Sequence, residues 1–334
     1  MVRHLMCAAV LAACAAWATG ADEAKTVLGI EGSQFTIDNR PVFLLGISYY
    51  AGLAAGAEQL GRDLDELKAK GFNLVRVWAT WAAFAHDVSV VDADGQPRAT
   101  YMKRLGDLVA AADERGMIVD VTLSRGNGVT GPPRLATHEA HLRAVLAVAE
   151  ALAGRRNWYL DLSNERNIKD KRFTSFAELK ALREAVGKRL PHLLITASHA
   201  GDLSADDVKE YVRTVGVRFL SPHRPRGKDS PAQTAATTKK LLDWTRQAGR
   251  LMPVHYQEPF RRDFGSYQPT ARDFLTDLEQ ARRGGAAGWC LHNGDCRKAK
   301  DGQPRRSFDL RGSQRLLERL DDVERGVVEG VTRK

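Results

Sequence analysis

Strand-like and helix-like segments alternate eight times along this chain of 334 residues, and this repeat limits the folds that it can adopt. Short runs rich in Val, Ile, Leu and aromatic residues predict strands, whereas longer segments with helical apolar spacing predict helices. The predicted strands are residues 42–50, 73–79, 117–124, 158–165, 193–198, 217–221, 251–258 and 286–292. The predicted helices are residues 63–70, 101–115, 137–152, 175–188, 206–214, 233–248, 270–283 and 313–323.

Such alternation implies parallel strands joined by crossover helices, and eight strands favour a closed barrel over an open sheet. We therefore predict an α/β protein with a (β/α)8 TIM-barrel fold. Residues 27–30 and 34–37 predict a short N-terminal β-hairpin before the barrel. The longer connections follow strands, and loops on that side build the functional face of a barrel. We predict a single barrel domain, residues 21–334, after a leader of residues 1–20.

The leader has the features of a secretory signal peptide, because basic residues precede an apolar run at 5–18 and small residues follow it. We therefore expect an exported protein, periplasmic or extracellular. The tetrapeptide Leu-Ala-Ala-Cys at 11–14 resembles a lipoprotein cleavage site, so a lipid anchor on Cys14 is an alternative. No later segment has the ~20 continuous apolar residues that a transmembrane helix needs.

Two cysteines, Cys290 and Cys296, lie beyond the leader. Export to an oxidising compartment favours pairing of cysteines. A disulfide between them and two unpaired thiols are both open from the sequence.

The charge pattern bears on the partners of the chain. Its formal net charge is +9, but Lys and Arg are scattered over many segments and no nucleic-acid recognition motif accompanies them. We therefore predict no nucleic-acid partner. No motif with metal-ligand spacing or cofactor-binding context is evident, and we expect a monomer that needs neither a metal nor an organic cofactor.

Polar residues on three predicted strands would face one interior, because side chains alternate between the two faces of a strand. The set predicted to point inward is Arg76, Trp78, Asp120, Thr122, Ser124, Asp161, Ser163 and Glu165. Buried charges are costly unless they are paired, and such networks occur where pKa values are tuned for chemistry. A functional site at the barrel mouth is therefore predicted, with a purely structural network as the alternative.

Five residues and one segment of the chain resemble glycoside hydrolases of clan A, most nearly family 5, the cellulase and mannanase family. They are Arg76, Asn164, Glu165, Glu258 and Trp289, together with residues 35–46. The resemblance implies a retaining enzyme that cleaves β-linked poly- or oligosaccharides by double displacement. It implies Glu165 as acid/base, with a pKa raised by burial and by Glu258, the nucleophile. It also implies that Arg76 keeps the nucleophile ionised, that Asn164 binds the sugar 2-hydroxyl and that Trp289 stacks on the pyranose ring.

The chain departs from the family pattern at three positions. Arg166 stands where the family has a proline after the acid/base, and Ser124 stands where it has a histidine. His223 is predicted to match a second family histidine, but Pro225 replaces the tyrosine that hydrogen-bonds the nucleophile. Tyr256 is the candidate to replace that tyrosine. A barrel that binds carbohydrate without cleaving it is therefore the alternative function.

Further residues are candidates for substrate contact. Tyr50 and His199 end predicted strands, and Trp78 points into the barrel, so each could line a sugar pocket. The arginines on the predicted functional face are Arg125, Arg134, Arg166, Arg224, Arg226, Arg261 and Arg262. They predict either a solvated basic rim or an anionic carbohydrate, since guanidinium groups bind carboxylates and sulfates in a fork.

Overall fold

The computed structural model describes residues 25–50, 52–83, 86–126, 134–262, 266–294, 310 and 312–332. The predicted signal peptide, the lipid-anchor alternative at Cys14, and Cys296 lie outside these residues. Cys290 is a buried free cysteine. Among the described helices, none combines the length and the apolar character that crossing a membrane requires.

An antiparallel sheet of three strands precedes the barrel, where the sequence predicted a two-stranded hairpin. Its strands are β1 (Leu28–Glu31), β2 (Gln34–Ile37) and β3 (Arg40–Val42), in that order across the sheet. Phe35 of β2 is fully buried, and its ring packs edge-on against that of Phe219 at 5.0 Å. The sheet therefore contributes apolar side chains to the interior of the barrel at its N-terminal end.

The strands after β3 are β4 (Leu44–Ser48), β5 (Leu74–Trp78), β6 (Ala82–Ala83), β7 (His86–Asp87), β8 (Ile118–Thr122), β9 (Trp158–Asp161), β10 (Leu194–Thr196), β11 (His199–Ala200), β12 (Pro222–His223), β13 (His255–Tyr256) and β14 (Gly288–Leu291). Seven of them run parallel and form the barrel sheet in the order β10-β9-β8-β5-β4-β14-β13. Two short ladders, β6 with antiparallel β7 and β11 with parallel β12, lie in the segments that follow barrel strands.

The barrel closes at its sixth position, where the predicted strand 217–221 has only one regular bridge, between Leu220 and Val254. The Arg218 N–H donates to the Ile195 carbonyl at 2.8 Å, on the β10 side. On the β13 side, the Leu220 N–H donates to the Pro253 carbonyl at 2.9 Å. These bonds connect the two edges of the seven-stranded sheet, and the predicted (β/α)8 barrel is confirmed.

The helices lie between successive barrel strands. They are α1 (Ala57–Ala69), α2 (Ala99–Glu114), α3 (His138–Ala151), α4 (Phe176–Arg189), α5 (Ala205–Lys209), α6 (Ser230–Gln247), α7 (Ala271–Gly284) and α8 (Asp322–Thr332), with a π-helical turn (Glu210–Val215) after α5 and 3-10 turns at Gly52–Ala54 and Leu317–Arg319. The predicted last helix, 313–323, is wrong. Asp321 and Glu324 bond each other's backbone N–H groups at 2.8 and 3.0 Å, which fixes the start of α8 at Asp322.

The apolar core has two parts, which leave the upper interior of the barrel polar. Val75, Val77, Val119 and Val121 pack outward against the helices, as the alternation of the sequence predicted. A second cluster fills the lower interior and contains Leu28, Phe35, Leu44, Leu74, Ile118, Tyr159, Leu194, Phe219, Ala287 and Cys290. Above it lie the charged and polar side chains at the C-terminal ends of the strands, where barrels carry their functional sites.

Gly288 of β14 sets the spacing of this lower layer. A Cβ at this position would lie 2.3 Å from His255 Nδ1 and 2.9 Å from the Leu44 carbonyl oxygen. We expect Gly288→Ala to lower the free energy of unfolding by about 1–3 kcal/mol, because it overpacks a buried layer. Gly187→Ala on α4, where a Cβ meets nothing within 4 Å, is the matched control. Equal urea midpoints for the two variants would contradict this prediction.

Candidate active site

Arg76 joins the C-terminal ends of four barrel segments through its buried guanidinium. Its Nη1 donates to Glu258 Oε1, and its Nη2 donates to Asn164 Oδ1 at 2.7 Å. Its Nε donates to Thr122 Oγ1 at 3.1 Å and lies 3.2 Å from an Asp120 carboxylate oxygen. The guanidinium is fully buried, so these partners replace the water that it loses. Arg76 thus fixes the position of Glu258 relative to Asn164.

The two glutamates lie side by side at the mouth of the barrel. One carboxylate oxygen of Glu165, one of Glu258 and a ring nitrogen of His223 all lie within 4.8 Å of one another. His223 Nδ1 is 3.3 Å from Glu165 Oε1 and 3.5 Å from Glu258 Oε2. Arg226 Nη2 is 3.0 Å from Glu258 Oε2 and 3.6 Å from Glu165 Oε1. A histidine and an arginine therefore bridge the carboxylates.

Glu165 sits in a strained backbone conformation just after β9. Its φ is 48°, in the left-handed region, which costs roughly 1–2 kcal/mol for a residue other than glycine. The Glu165 N–H donates to Ser198 Oγ at 3.0 Å, and the Arg166 N–H donates to the Ser198 carbonyl at 3.1 Å. A proline at 166 could not donate this second bond, so the departure from the family pattern has a structural reason.

Glu258 is held in its ionised form. Burial acts to raise the pKa of Glu258, but His223, Arg76 and Arg226 lower it, and the pKa lies well below its ordinary value. Burial and neighbouring arginines lower the pKa of the His292 ring well below its ordinary value, so this ring is neutral at pH 7. The two arginines are thus the permanent positive charges beside Glu258, which has the ionised state that a nucleophile needs.

The pKa of Glu165 is lowered, whereas the resemblance implied that it is raised. Burial and the charge of Glu258 act in the implied direction. The hydrogen bond with His223 and the positive charge of Arg226 act against them, and the lowering is larger. The implied pKa is therefore wrong in this structure, mainly because His223 hydrogen-bonds the Glu165 carboxylate, with a smaller contribution from Arg226 at 3.6 Å.

Aromatic rings form one wall beside the glutamates. The rings of Tyr50 and Trp81 stack at 5.2 Å, Trp78 contacts both, and His292 lies 5.8 Å from Tyr50. All of these side chains are buried. The Trp78 Nε1 has no hydrogen-bond acceptor among the described residues, which makes it a donor for a substrate group. Tyr50 and Trp78 therefore lie where the sequence placed them, at the barrel mouth.

Trp289 and Tyr256 are corrections to the predicted site. Trp289 is fully buried on the helix side of β14, where its Nε1 donates to Asp277 on α7 at 2.7 Å. The hydroxyl of Tyr256 lies 2.7 Å from Thr238 Oγ1 on α6. Both residues point outward in the strand alternation, so Trp289 cannot stack on a sugar inside the barrel. The hydrogen bond to Glu258 that Tyr256 was predicted to make is made by Arg226 instead.

His199 is also a correction, because both of its ring nitrogens have partners within the protein. Nε2 lies 3.1 Å from Asn167 Nδ2, and Nδ1 lies 3.3 Å from the Tyr211 hydroxyl. Its ring is neutral, since burial lowers its pKa to about 4. His199 therefore holds the loop after β9 in place and offers no free nitrogen to a substrate.

Most of the loop arginines interact with groups away from the two glutamates. Arg125 pairs with Glu178, Arg134 with Asp87, Arg224 with Asp202 and Arg262 with Asp321, while Arg166 stacks on Phe176. Arg226 contacts both glutamates, and Arg261 Nη1 lies 3.2 Å from His292 Nε2. The predicted basic rim is thus largely a set of structural pairs, and few of its arginines belong to the site.

Two site residues were missed in the sequence. His292 Nδ1 lies 3.4 Å from Glu258 Oε2, and Arg172 Nη1 lies 3.4 Å from Glu165 Oε2. Alternation along β14 places Gly288, Cys290 and His292 inward, so this pattern could have identified His292. Arg172 lies in an irregular loop, where the sequence contains no periodic signal.

The Glu165, His223 and Glu258 atoms are close enough together to serve as metal ligands. The guanidiniums of Arg76 and Arg226 contact the same Glu258 carboxylate. Arginine stays protonated in proteins, so both groups would repel a cation at this position. The cluster of Glu165, His223 and Glu258 is therefore better suited to proton transfer and nucleophilic attack by the two carboxyl groups than to binding a divalent cation.

No protein-family model matches the sequence of this chain, and no curated protein sequence matches it. Solved structures with the same fold do match. A glycoside hydrolase of family GH5_18 from Streptomyces cattleya, in complex with GlcNAc, has a TM-score of 0.63 at 18% identity over 87% of this chain and 80% of that chain. An endo-1,4-beta-mannanase from Rhizomucor miehei has a TM-score of 0.62 at 13% identity over 92% and 100%.

An exo-beta-1,4-mannosidase from Opitutaceae bacterium strain TAV5 has a TM-score of 0.60 at 16% identity, over 88% of this chain and 59% of that chain. At these identities the similarity establishes the barrel fold. The structures that share it include family 5 glycoside hydrolases, the group that the sequence resembles.

Proposed function

We propose that this protein is a retaining glycoside hydrolase of the family 5 type that cleaves a β-linked glycan. The observation that carries the proposal is the close approach of Glu165 and Glu258, with oxygen atoms within 4.8 Å at the barrel mouth. Retaining enzymes place their carboxyls about 5–5.5 Å apart, whereas inverting enzymes leave about 6.5–9.5 Å for a water molecule. The short separation supports double displacement.

In the proposed mechanism the Glu258 carboxylate attacks the anomeric carbon while Glu165 donates its proton to the departing glycosidic oxygen. Glu165 then takes a proton from water, and the resulting hydroxide attacks the anomeric carbon and releases Glu258. Asn164 Oδ1 accepts a hydrogen bond from Arg76 Nη2, which leaves the side-chain amide nitrogen of Asn164 to donate to the sugar 2-hydroxyl. Arg226, in place of the missing tyrosine, keeps Glu258 ionised.

A barrel that binds carbohydrate without cleaving it is the second candidate. Two observations favour it: Arg226 contacts the carboxylate oxygen that would attack, and the pKa of Glu165 is lowered. Activated dinitrophenyl β-glycosides separate the two functions. The hydrolase should release the phenol, and proton NMR should show the β anomer as the first sugar product. Glycan binding without turnover of any activated substrate would favour the second function.

A rise in pH through the acidic range should inactivate the enzyme through loss of the Glu165 proton. Because the pKa of Glu165 is below its ordinary value, kcat/KM for a glycan or an alkyl glycoside, whose leaving group needs a proton, should fall about tenfold per pH unit from mildly acidic to neutral pH. Arg226→Gln removes a charge that lowers this pKa, so the falling limb should move to higher pH. Arg262→Gln, whose guanidinium binds Asp321, is the control and should leave the limb in place. If kcat/KM of Arg226→Gln falls over the same pH range as that of the wild type, the assignment of this fall to Glu165 beside Arg226 is contradicted.

We further propose that the mature protein works outside the cytoplasm. The proposal rests on the signal-like sequence of residues 1–20, with cleavage at Cys14 and lipidation as the alternative. Mass spectrometry of the exported protein would distinguish them, since lipidation adds a hydrophobic mass to an N-terminal cysteine.

A further inference from the structure

We propose that the sugar taken by this site carries a carboxylate group and that Arg226 binds it. The inference rests on the proposed hydrolase function and names its substrate class. Arg226 is the residue that distinguishes this site, because its guanidinium stands between the two glutamates where a neutral hydroxyl was expected. Its side chain is 17% exposed, so a bound ligand can reach it.

The contacts of Glu258 show why Arg226 has to exchange partners. Oε1 is occupied by Arg76, whereas Oε2 has Arg226 at 3.0 Å, His292 at 3.4 Å and His223 at 3.5 Å. An oxygen that attacks an anomeric carbon needs a lone pair directed at that carbon. Since Arg226 Nη2 makes the closest contact to Oε2, it has to move aside before Oε2 can attack. A substrate carboxylate would draw it away.

The charges of the two glutamates during the reaction also favour an anionic substrate. Glu165 has to be protonated to act as an acid, and Glu258 becomes a neutral ester in the glycosyl intermediate. These two events do not coincide, because Glu165 gives up its proton in the step that forms the ester. One of the two negative charges beside Arg226 is therefore absent at each stage, while the guanidinium stays protonated. Arg261 adds positive charge, since it acts with burial to lower the pKa of Arg226. A neutral sugar does not replace the negative charge that is absent at each stage, whereas an anionic sugar does.

A carboxylate suits this position better than a sulfate. Arginine offers parallel N–H groups in a plane, which match the two oxygens of a carboxylate. Arg226 already contacts carboxylates in this structure, since its Nη2 lies near one oxygen of Glu258 and one of Glu165. A uronic acid would present the same group, so we infer a uronate residue beside the cleaved bond.

Pairs of dinitrophenyl β-glycosides that differ only at C6 test this inference. Glucuronide and glucoside, mannuronide and mannoside, and galacturonide and galactoside would be compared, together with the 6-sulfated sugars. In at least one pair we expect kcat/KM for the uronide to exceed that for the neutral sugar by about 10- to 100-fold. Arg226→Gln should bring that ratio close to one, Arg226→Lys should give an intermediate ratio, and Arg262→Gln should preserve it.

The outcomes separate this inference from the proposed function. Hydrolysis of neutral sugars in preference to every uronide, or a ratio that Arg226→Gln leaves unchanged, would overturn the inference and leave the function standing. A preference for the sulfated sugars would overturn the carboxylate assignment. If no pair is hydrolysed, the proposed function fails, and calorimetric titration with free uronates and neutral sugars decides the inference. Equal binding of the two would overturn it.

Discussion

Glu258→Ala should reduce kcat for a dinitrophenyl β-glycoside by about 10⁴-fold or more, because it removes the group that forms the covalent intermediate. Azide should restore part of the activity. The small anion fits the space vacated by the carboxylate and attacks the anomeric carbon from the same face. The product should be a glycosyl azide of the α configuration, which proton NMR identifies.

The control for this loss is Glu184→Ala, which removes an exposed glutamate from α4. It should retain wild-type activity. Because Glu258 is also an ion-pair partner of the buried Arg76, the unfolding midpoint of Glu258→Ala has to be measured as well. A folded Glu258→Ala protein that still turns over the glycoside would contradict the nucleophile assignment, as would a β-glycosyl azide.

Glu165→Ala should show a loss of activity that depends on the leaving group. A glycan or an alkyl glycoside has a poor leaving group that needs a proton, so kcat/KM should fall by roughly 10²–10⁴-fold. A dinitrophenolate leaves without a proton, so kcat/KM for the aryl substrate should fall by less than about tenfold. Steady-state kinetics on both substrates measures the difference.

Equal losses on the two kinds of substrate would show that Glu165 does not act as an acid. A burst of phenol is a further expected outcome with the aryl substrate. Without the base, the glycosyl intermediate accumulates, since its hydrolysis still needs an activated water. The same Glu184→Ala protein is the control, and it should show no dependence on the leaving group beyond that of the wild type.

Strand alternation made much of the fold and part of the site predictable. It placed Arg76, Asp120 and Asp161 in one polar interior, and the structure has Arg76 within 3.2 and 3.8 Å of the two aspartates. The regular repeat of strand and helix was sufficient to predict the barrel, because each crossover buries apolar side chains on both of its elements.

The errors come from positions where side-chain direction or distant contacts decide the outcome. Trp289 and Tyr256 were assigned from resemblance or proximity, but both point outward from the barrel, and His292 points inward instead. His199 ends a predicted strand, yet one of its ring nitrogens is hydrogen-bonded to Asn167 from another segment. No local pattern encodes such long-range contacts.

Electrostatics at the mouth was the least predictable property. The pKa of Glu165 depends on the sum of burial, a neighbouring carboxylate and cationic groups from separate loops. Arg226 follows β12 in an irregular segment, so the sequence could not show that its guanidinium reaches both glutamates. The sign of the pKa shift follows from the hydrogen bond of Glu165 with His223 together with this contact, and it could be derived only with the structure.

The most direct test of the central claim is to trap the covalent intermediate on Glu258. An activated 2-fluoro sugar, of the type that the wild-type enzyme turns over, slows the second displacement and lets the glycosyl enzyme accumulate. Intact-protein mass spectrometry should show the mass of one fluoroglycosyl group, and peptide sequencing should place it on Glu258. A label on Glu165, or turnover of the parent glycoside with no label at Glu258, would contradict the proposed mechanism.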